Sequence, residues 1–284
     1  LTTSFSASDQ HVQLLFVAVY VFIIRLFGPE VNRFLCCIFA TKGSTFCYIS
    51  YELLAYIFTI NINMNVEFEN TTRPLVYSLK LETDYTSDIL LQELEKENWQ
   101  LETFKNVNGR QGGKRYTING EGRYASKAAT NAVSSPVLQD LLSYSMSRDF
   151  KTKWLSTMIN TPAFCKLWGT SDVDRISSYT VIHANYLLDT TMAKIGLHLD
   201  NRLLVATGMI YLNESDSNSK PLQATTFYTD ENKSNPLTIL PNFGTGWVAA
   251  NTHNSWHEGY NLSNQKRYSL LLGISIDVTG LQKS

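Results

Sequence analysis

The sequence predicts a mainly β fold with flanking helices (α+β), built around a double-sheet jelly roll. Three observations predict it. From Arg175 onward the chain breaks into short β-rich runs punctuated by Gly, Pro and Asn turns. Before that point, runs over 86–98, 135–146 and 151–159 carry apolar residues at helical spacing. The 284 residues are 44% hydrophobic and 17% charged, which supports a buried core and argues against a disordered chain. The net charge of −1 gives no reason to expect nucleic acid or an anionic membrane as partner. No internal repeat or low-complexity tract is visible.

The chain changes character at Met64. Residues 1–63 hold three of the four cysteines, eight of the fourteen phenylalanines, no methionine and only six charged residues. This segment is expected to lie outside the folded domain, which would then span 64–284. A membrane anchor is one reading, but the apolar runs 12–24 and 53–62 fall short of the roughly 20 residues a spanning helix needs. Translated sequence upstream of a start at Met64 is the other, and the missing methionine and abrupt shift favour it. Cys36, Cys37, Cys47 and Cys165 show neither paired CxxC spacing nor disulfide density. A reducing, cytoplasmic setting is expected.

Residues 64–174 read as a lead-in to the core. Leu75, Tyr77, Leu79 and Leu81 alternate, which predicts a half-buried strand, and Pro74 at its entry suits an edge. Over 86–98, Ile89, Leu90 and Leu94 form an apolar stripe, with Glu93, Glu95, Lys96 and Glu97 on the wet face. The stretch 105–127 is glycine-rich and basic, and reads as a solvated surface loop, with a substrate-facing lid as the other reading. Gly112-Gly113-Lys114 lacks phosphate-loop spacing, and Arg115 stands where Ser or Thr belongs. Ser135-Pro136 starts a helix, with Ser as cap and Pro at the first helical position. That helix presents Val137, Leu138, Leu141, Leu142 and Met146. A second, over 151–159, presents Trp154, Leu155, Met158 and Ile159, and both are expected to scaffold the outside of a sheet.

The core, 175–279, carries the chemistry. His198 and Asp200 are two apart, so in a strand they share a face and can grip one metal. Two imidazoles and a carboxylate leave half of a six-coordinate Fe(II) open. The second imidazole must come from far along the chain. His11 lies in the atypical segment and His183 reads as a hydrogen-bonded core residue, which leaves His253 and His257. The polar run Asn261-Leu262-Ser263-Asn264-Gln265 reads as a turn, so the His257 segment and 266–276 are expected to pair as a hairpin. Arg267 and Ser269 would then share a face near the metal. Arg267 sits in a strand too apolar to be exposed, and an unpaired buried charge costs several kcal/mol. With no acidic residue near it in sequence, a bound carboxylate would supply its partner, for which a guanidinium fork is suited.

His198-Leu199-Asp200, a distant His257 in Trp256-His257-Glu258-Gly259, and Arg267-Tyr268-Ser269 ten residues later resemble the Fe(II)/2-oxoglutarate-dependent dioxygenases. The prolyl-4-hydroxylase-like branch is the most similar. Tyr211-Leu212-Asn213 and the Pro241-Asn242-Phe243-Gly244 turn fit the same pattern, and the resemblance covers about 177–278. It implies a cupin-like double-stranded β-helix and selects His257 over His253. It further implies His198, Asp200 and His257 as metal-binding and catalytic residues for Fe(II), with Arg267 and Ser269 binding 2-oxoglutarate and O2 as the oxidant. The implied reaction hydroxylates an unactivated C–H of a peptidyl (prolyl-like) or small-molecule substrate, releasing succinate and CO2. Two departures stand out. The usual Gly-Gly pair after the Tyr-Leu-Asn strand is replaced by 219–227. Asp189 stands where a co-substrate tyrosine is expected, which leaves Tyr186, shifted by three, as the nearest candidate. A nucleic-acid substrate has only the basic loop in its favour, and a membrane partner only the anchor reading of 1–63. A non-catalytic jelly-roll binding module is the alternative, and it would need neither metal nor Arg267.

Overall fold

Side-chain alternation along each strand sorts this fold into two faces, and a computed structural model shows where each face goes. It describes residues 63–73, 75–102, 110–118, 133–201, 203–214 and 222–277. The readings of 1–62, Pro74, most of the basic stretch, the start of the 219–227 segment and the end of the core at 278–279 lie outside these residues.

Eight strands form the core: β6 (Thr180–Asp189), β7 (Ala193–His198), β8 (Leu204–Tyr211), β9 (Gln223–Tyr228), β10 (Leu237–Ile239), β11 (Thr245–Ala250), β12 (Trp256–Asn261) and β13 (Arg267–Ile276). Apart from the paired β9 and β10, successive strands alternate between two antiparallel sheets, β11-β8-β13-β6 in the larger and β10-β9-β12-β7 in the smaller. This is the double-stranded β-helix. The expected hairpin between the His257 strand and the Arg267 strand does not form. β12 pairs with β7 and β9, while β13 pairs with β6 and β8. The turn between them instead carries the chain from one sheet to the other. Buried Asn261 secures it, its Nδ2 donating to the carbonyls of Asp189, Thr190 and Gln265.

The lead-in extends the larger sheet at both edges. β1 (Met64–Asn70) and β2 (Val76–Thr83) pair antiparallel, and β2 pairs on to β11. The strand expected at the edge is therefore internal. β1 covers it, with Val66 buried and Glu67 and Glu69 exposed. At the other edge lie β5 (Arg115–Thr117), beside β6, and β3 (Gln100–Leu101). β4 (Arg110–Gly112) joins the smaller sheet against β7. The described part of the basic stretch is thus two strands, not a solvated loop. Its glycines serve a close crossing: a Cβ on Gly112 would lie 2.1 Å from the Met192 carbonyl oxygen, and one on Gly113 would lie 2.2 Å from that of Thr191.

Among the described residues, five helices pack on the outer face of the larger sheet: α1 (Ser87–Lys96), α2 (Pro136–Ser145), α3 (Arg148–Ile159), α4 (Pro162–Trp168) and α5 (Val173–Ser178). Leu90 and Leu94 of α1 are buried, but Ile89 is 41% exposed and leaves the expected stripe. Ser135 holds the cap position of α2 without a side-chain cap bond. Glu97 does that work, accepting from the Ser134 amide and hydroxyl and the Ser135 amide, a carboxylate at a positive helix end. α3 starts earlier than expected because Ser147 caps it through the Phe150 amide. α5 takes 175–178, where the β-rich pattern was expected to begin, and the first core strand starts at Thr180. These helices and the outward residues of the larger sheet, among them Ile182, Tyr186, Ile210 and Leu270, make the main core. A smaller cluster, Leu187, Met209, Tyr211, Phe227, Trp247 and Leu271 among its members, fills the space between the sheets. All of this belongs to one compact unit, Asn63–Ser284.

Candidate metal centre and acid pocket

His198 closes β7, and Asp200 follows it in irregular backbone, so the pair does not lie in one strand as expected. β12 sets His257 directly opposite His198. The three side chains converge. Nε2 of His198 lies 3.8 Å from Asp200 Oδ1, and Nε2 of His257 lies 3.7 Å from Oδ2. One ligand atom from each falls within 4.8 Å of the others, the only such group found among the described residues.

The imidazoles are oriented by their other nitrogens. His198 Nδ1 is 2.8 Å from the Gly196 carbonyl and His257 Nδ1 is 3.0 Å from that of Ser255. A carbonyl only accepts, so each Nδ1 carries the proton and each Nε2 the lone pair that faces the centre. Thr207 Oγ1 donates to Asp200 Oδ2 at 2.7 Å and orients the carboxylate. Phe227 and Trp247 wall off His257, with ring centroids at 5.4 and 5.8 Å. His253 is exposed in the turn before β12 and takes no part. His183 hydrogen-bonds to Ser275, and burial pushes its pKa down.

Across the lumen, β13 turns Arg267 and Ser269 inward, both almost fully buried. Arg267 is not the unpartnered cation the sequence suggested. Its Nη2 donates to Asp189 Oδ2 at 2.6 Å, and its Nη1 to the carbonyls of Tyr260 at 2.9 Å and Ala224 at 3.4 Å. Asp189 is also held by Arg115, through Nε at 2.5 Å and Nη2 at 2.8 Å. Burial alone would push the Asp189 carboxyl up; the two guanidinium charges outweigh that and hold it well below the usual carboxylate range. Arg115, read as part of a solvated stretch, is 4% exposed for this reason.

Tyr186 is a correction. A shift of three along a strand is odd and reverses the face. Asp189 points into the lumen, while Tyr186 points into the helix layer, where its hydroxyl donates to the Leu138 carbonyl at 2.8 Å. Burial raises its pKa far above the ordinary tyrosine value. The tyrosine that does line the lumen is Tyr211, whose ring lies 6.0 Å from the Arg267 guanidinium carbon and whose hydroxyl meets Thr225 at 3.0 Å. Its position directly opposite Ser269 on β8 was readable only once the pairing was known.

Two polar atoms of this pocket are buried without a hydrogen-bond partner among the described residues: Arg267 Nε and Ser269 Oγ. Leaving a buried donor unsatisfied costs about 1–3 kcal/mol. Two such atoms on one strand face could each donate to an acceptor group. Gly259, two residues beyond His257, leaves room beside Arg267, since a Cβ there would meet nothing closer than Thr225 Oγ1 at 4.0 Å. Gly259, Ile195, Arg115, Asp189 and Arg267 line one concavity.

No protein-family model matches the sequence, and no curated protein matches it. Solved structures similar to the chain include a 2-oxoglutarate-Fe(II) oxygenase-family oxidoreductase from Burkholderia pseudomallei, with 15% identity, TM-score 0.45, and coverage of 71% of this chain and 85% of that one. A 2-oxoglutarate complex of a dioxygenase for auxin oxidation from Arabidopsis thaliana has 10% identity, TM-score 0.44, and coverage of 68% and 80%. A Pseudomonas putida prolyl-4-hydroxylase has 13% identity, TM-score 0.36, and coverage of 67% and 83%. The functional reading rests on this chain's own side chains.

Proposed function

We propose that the chain is an Fe(II)- and 2-oxoglutarate-dependent dioxygenase that hydroxylates a C–H bond of a peptidyl or small-molecule substrate. The observation that carries this reading is the pairing, in one lumen, of an oriented His198–Asp200–His257 cluster with the two unpartnered donors of Arg267 and Ser269. The cluster fits a divalent metal: two neutral imidazole nitrogens and one carboxylate, leaving open positions. The orphaned donors fit a carboxylate. When bound, Fe(II) and 2-oxoglutarate supply the activation of O2, with release of succinate and CO2.

The chain's part is to bind, orient and shield. His198 and His257 present Nε2 because the Gly196 and Ser255 carbonyls hold the opposite nitrogens. Thr207 keeps Asp200 from rotating away. Arg267 Nε and Ser269 Oγ would receive the distal carboxylate of the acid, with the open face of Gly259 giving it room. Phe227 and Trp247 exclude water from the His257 side.

Arg267's internal pairing to Asp189 supports a second reading, a binding module in which the arginine needs no ligand. Metal content and turnover separate the two. The proposal expects one Fe(II) per chain and succinate formation from 2-oxoglutarate under air. A protein that binds no divalent metal at the cluster would sink it.

A further inference from the structure

Three charged residues from three adjacent strands form a ladder across the larger sheet. Arg267 on β13 and Arg115 on β5 each stand directly opposite Asp189 on β6. Two positive charges and one negative leave the cluster at +1, in a setting where every member is 4% exposed or less. The sharing is unequal. Arg115 takes both carboxylate oxygens through a fork, at 2.5 and 2.8 Å, whereas Arg267 holds one oxygen through one nitrogen. A two-pronged guanidinium contact is the stronger and more directional of the two. Asp189 is therefore chiefly the counter-ion of Arg115. Arg267 spends Nη1 on two carbonyls and Nη2 on one carboxylate oxygen, and its Nε stays buried without a partner among the described residues, as does Ser269 Oγ two residues on.

The placement of Arg115 is built into the chain. Gly112, in the left-handed region at φ +77, and Gly113 let the backbone cross from the smaller to the larger sheet against the Thr191 and Met192 carbonyls. No residue with a Cβ fits that crossing, and Arg115 enters β5 two residues after it.

We infer that Arg115 is a specificity-determining residue of the acid pocket: by holding Asp189 it keeps one net positive charge beside Arg267, and that charge admits a distal carboxylate. The identity of the acid rests on the oxygenase reading above. Without Arg115, Asp189 would neutralise Arg267 and repel an incoming carboxylate. Arg115 acts through Asp189, so it is a positioning residue and not a catalytic one.

The test compares two ligands that differ only at the distal end, 2-oxoglutarate and 2-oxopentanoate, titrated anaerobically by calorimetry into the metal-loaded protein. Wild type should prefer 2-oxoglutarate. Arg115→Gln should reduce that preference by about tenfold or more, since a full charge is removed from a low-dielectric pocket. Binding of 2-oxopentanoate and of the metal should be unchanged. Arg115→Lys should retain most of the preference. Arg115→Gln combined with Asp189→Asn restores the charge to +1 and should restore the preference, which a merely structural role for Arg115 would not do. A preference in Arg115→Gln equal to wild type, or no recovery in the double variant, overturns the inference. Failure of metal-loaded wild type to bind 2-oxoglutarate overturns the oxygenase reading instead.

Discussion

The two ends of the lumen solve opposite electrostatic problems. At the metal end, His198, Asp200 and His257 have side chains 9–20% exposed, and their ligand atoms approach one another no closer than 3.7 Å in the two imidazole–carboxylate pairs. Those spacings exceed a hydrogen bond but suit three groups sharing an ion at their centre. At the acid end, Arg115, Asp189 and Arg267 are 4% exposed or less and in direct contact at 2.5 to 2.8 Å. One cluster is spaced so that its three groups could share an ion. The other has most of its partners already, and offers a ligand only a surplus charge and two unpartnered atoms. The cation should thus complete the first end, and an acid should add to a structure that stands without it.

The largest effects should come from the metal end. His198→Ala, Asp200→Ala and His257→Ala should each abolish stoichiometric metal binding, measured by metal analysis after anaerobic loading. His253→Ala should leave it intact, because His253 is exposed and outside the cluster. Thr207→Val, which frees one Asp200 oxygen, should weaken metal by about 10- to 100-fold. Comparable metal loss in the His253 variant would show that the wrong imidazole has been placed in the centre.

At the acid end the main cost of mutation should be stability. Asp189→Asn leaves two buried guanidinium groups without their carboxylate, a change expected to cost about 3–5 kcal/mol in chemical denaturation. The pH dependence has a definite sign. The folded pKa of Asp189 lies below its unfolded value of about 3.9. Its contribution is therefore complete above that value and is lost as pH falls towards the folded pKa, where the unfolded chain binds the extra proton. Wild-type stability should fall steeply below about pH 4, and Asp189→Asn should flatten that limb. An acid limb of equal slope in both proteins would contradict the buried ion cluster.

Arg267→Ala should do the reverse, with modest loss of stability because Arg115 still holds Asp189, but a large effect on the acid. Charge-assisted hydrogen bonds contribute about 1.5–3 kcal/mol, so the KM for 2-oxoglutarate should rise by roughly 10- to 150-fold. Arg267→Lys should recover part of this, and metal stoichiometry should hold in both. Unchanged acid affinity in Arg267→Ala would remove Arg267 from the pocket.

What was legible in the sequence follows the same division. The three residues of the His–Asp–His cluster could be picked out because two of them lie two apart and the third sits in a recognisable local context. The winding into two sheets was legible from the density of turns, and α2 from Ser135-Pro136. The ion cluster was not, since its pairs span 74 and 78 residues and sequence neighbourhood says nothing of them. Arg115 looked solvated because its stretch is glycine-rich and basic; those glycines prove to be the means of burying it. β1 was missed although Met64, Val66 and Phe68 alternate, because the strand begins where the composition changes. The β12–β13 turn looked like a hairpin because turn residues do not reveal which sheet the next strand will enter.

Tyr186→Phe is the mildest of these tests and the one that most directly separates the two faces of a single strand. Tyr186 and Asp189 are three residues apart on β6, so their side chains point to opposite sides of the larger sheet. Removing the Tyr186 hydroxyl leaves the ring in the helix-packed core but deprives the Leu138 carbonyl of its side-chain donor. A lost hydrogen bond of this kind typically costs about 0.5–1.5 kcal/mol. Tm should fall by a few degrees, about what that energy implies for a domain of this size, while the 2-oxoglutarate KM and metal affinity stay at wild-type values. A stability loss with unchanged acid affinity places Tyr186 among the scaffold residues that hold α2 on the sheet. A raised KM with unchanged Tm would mean that its hydroxyl reaches the lumen, and the face assignment of β6, with Asp189 inward, would have to be reversed.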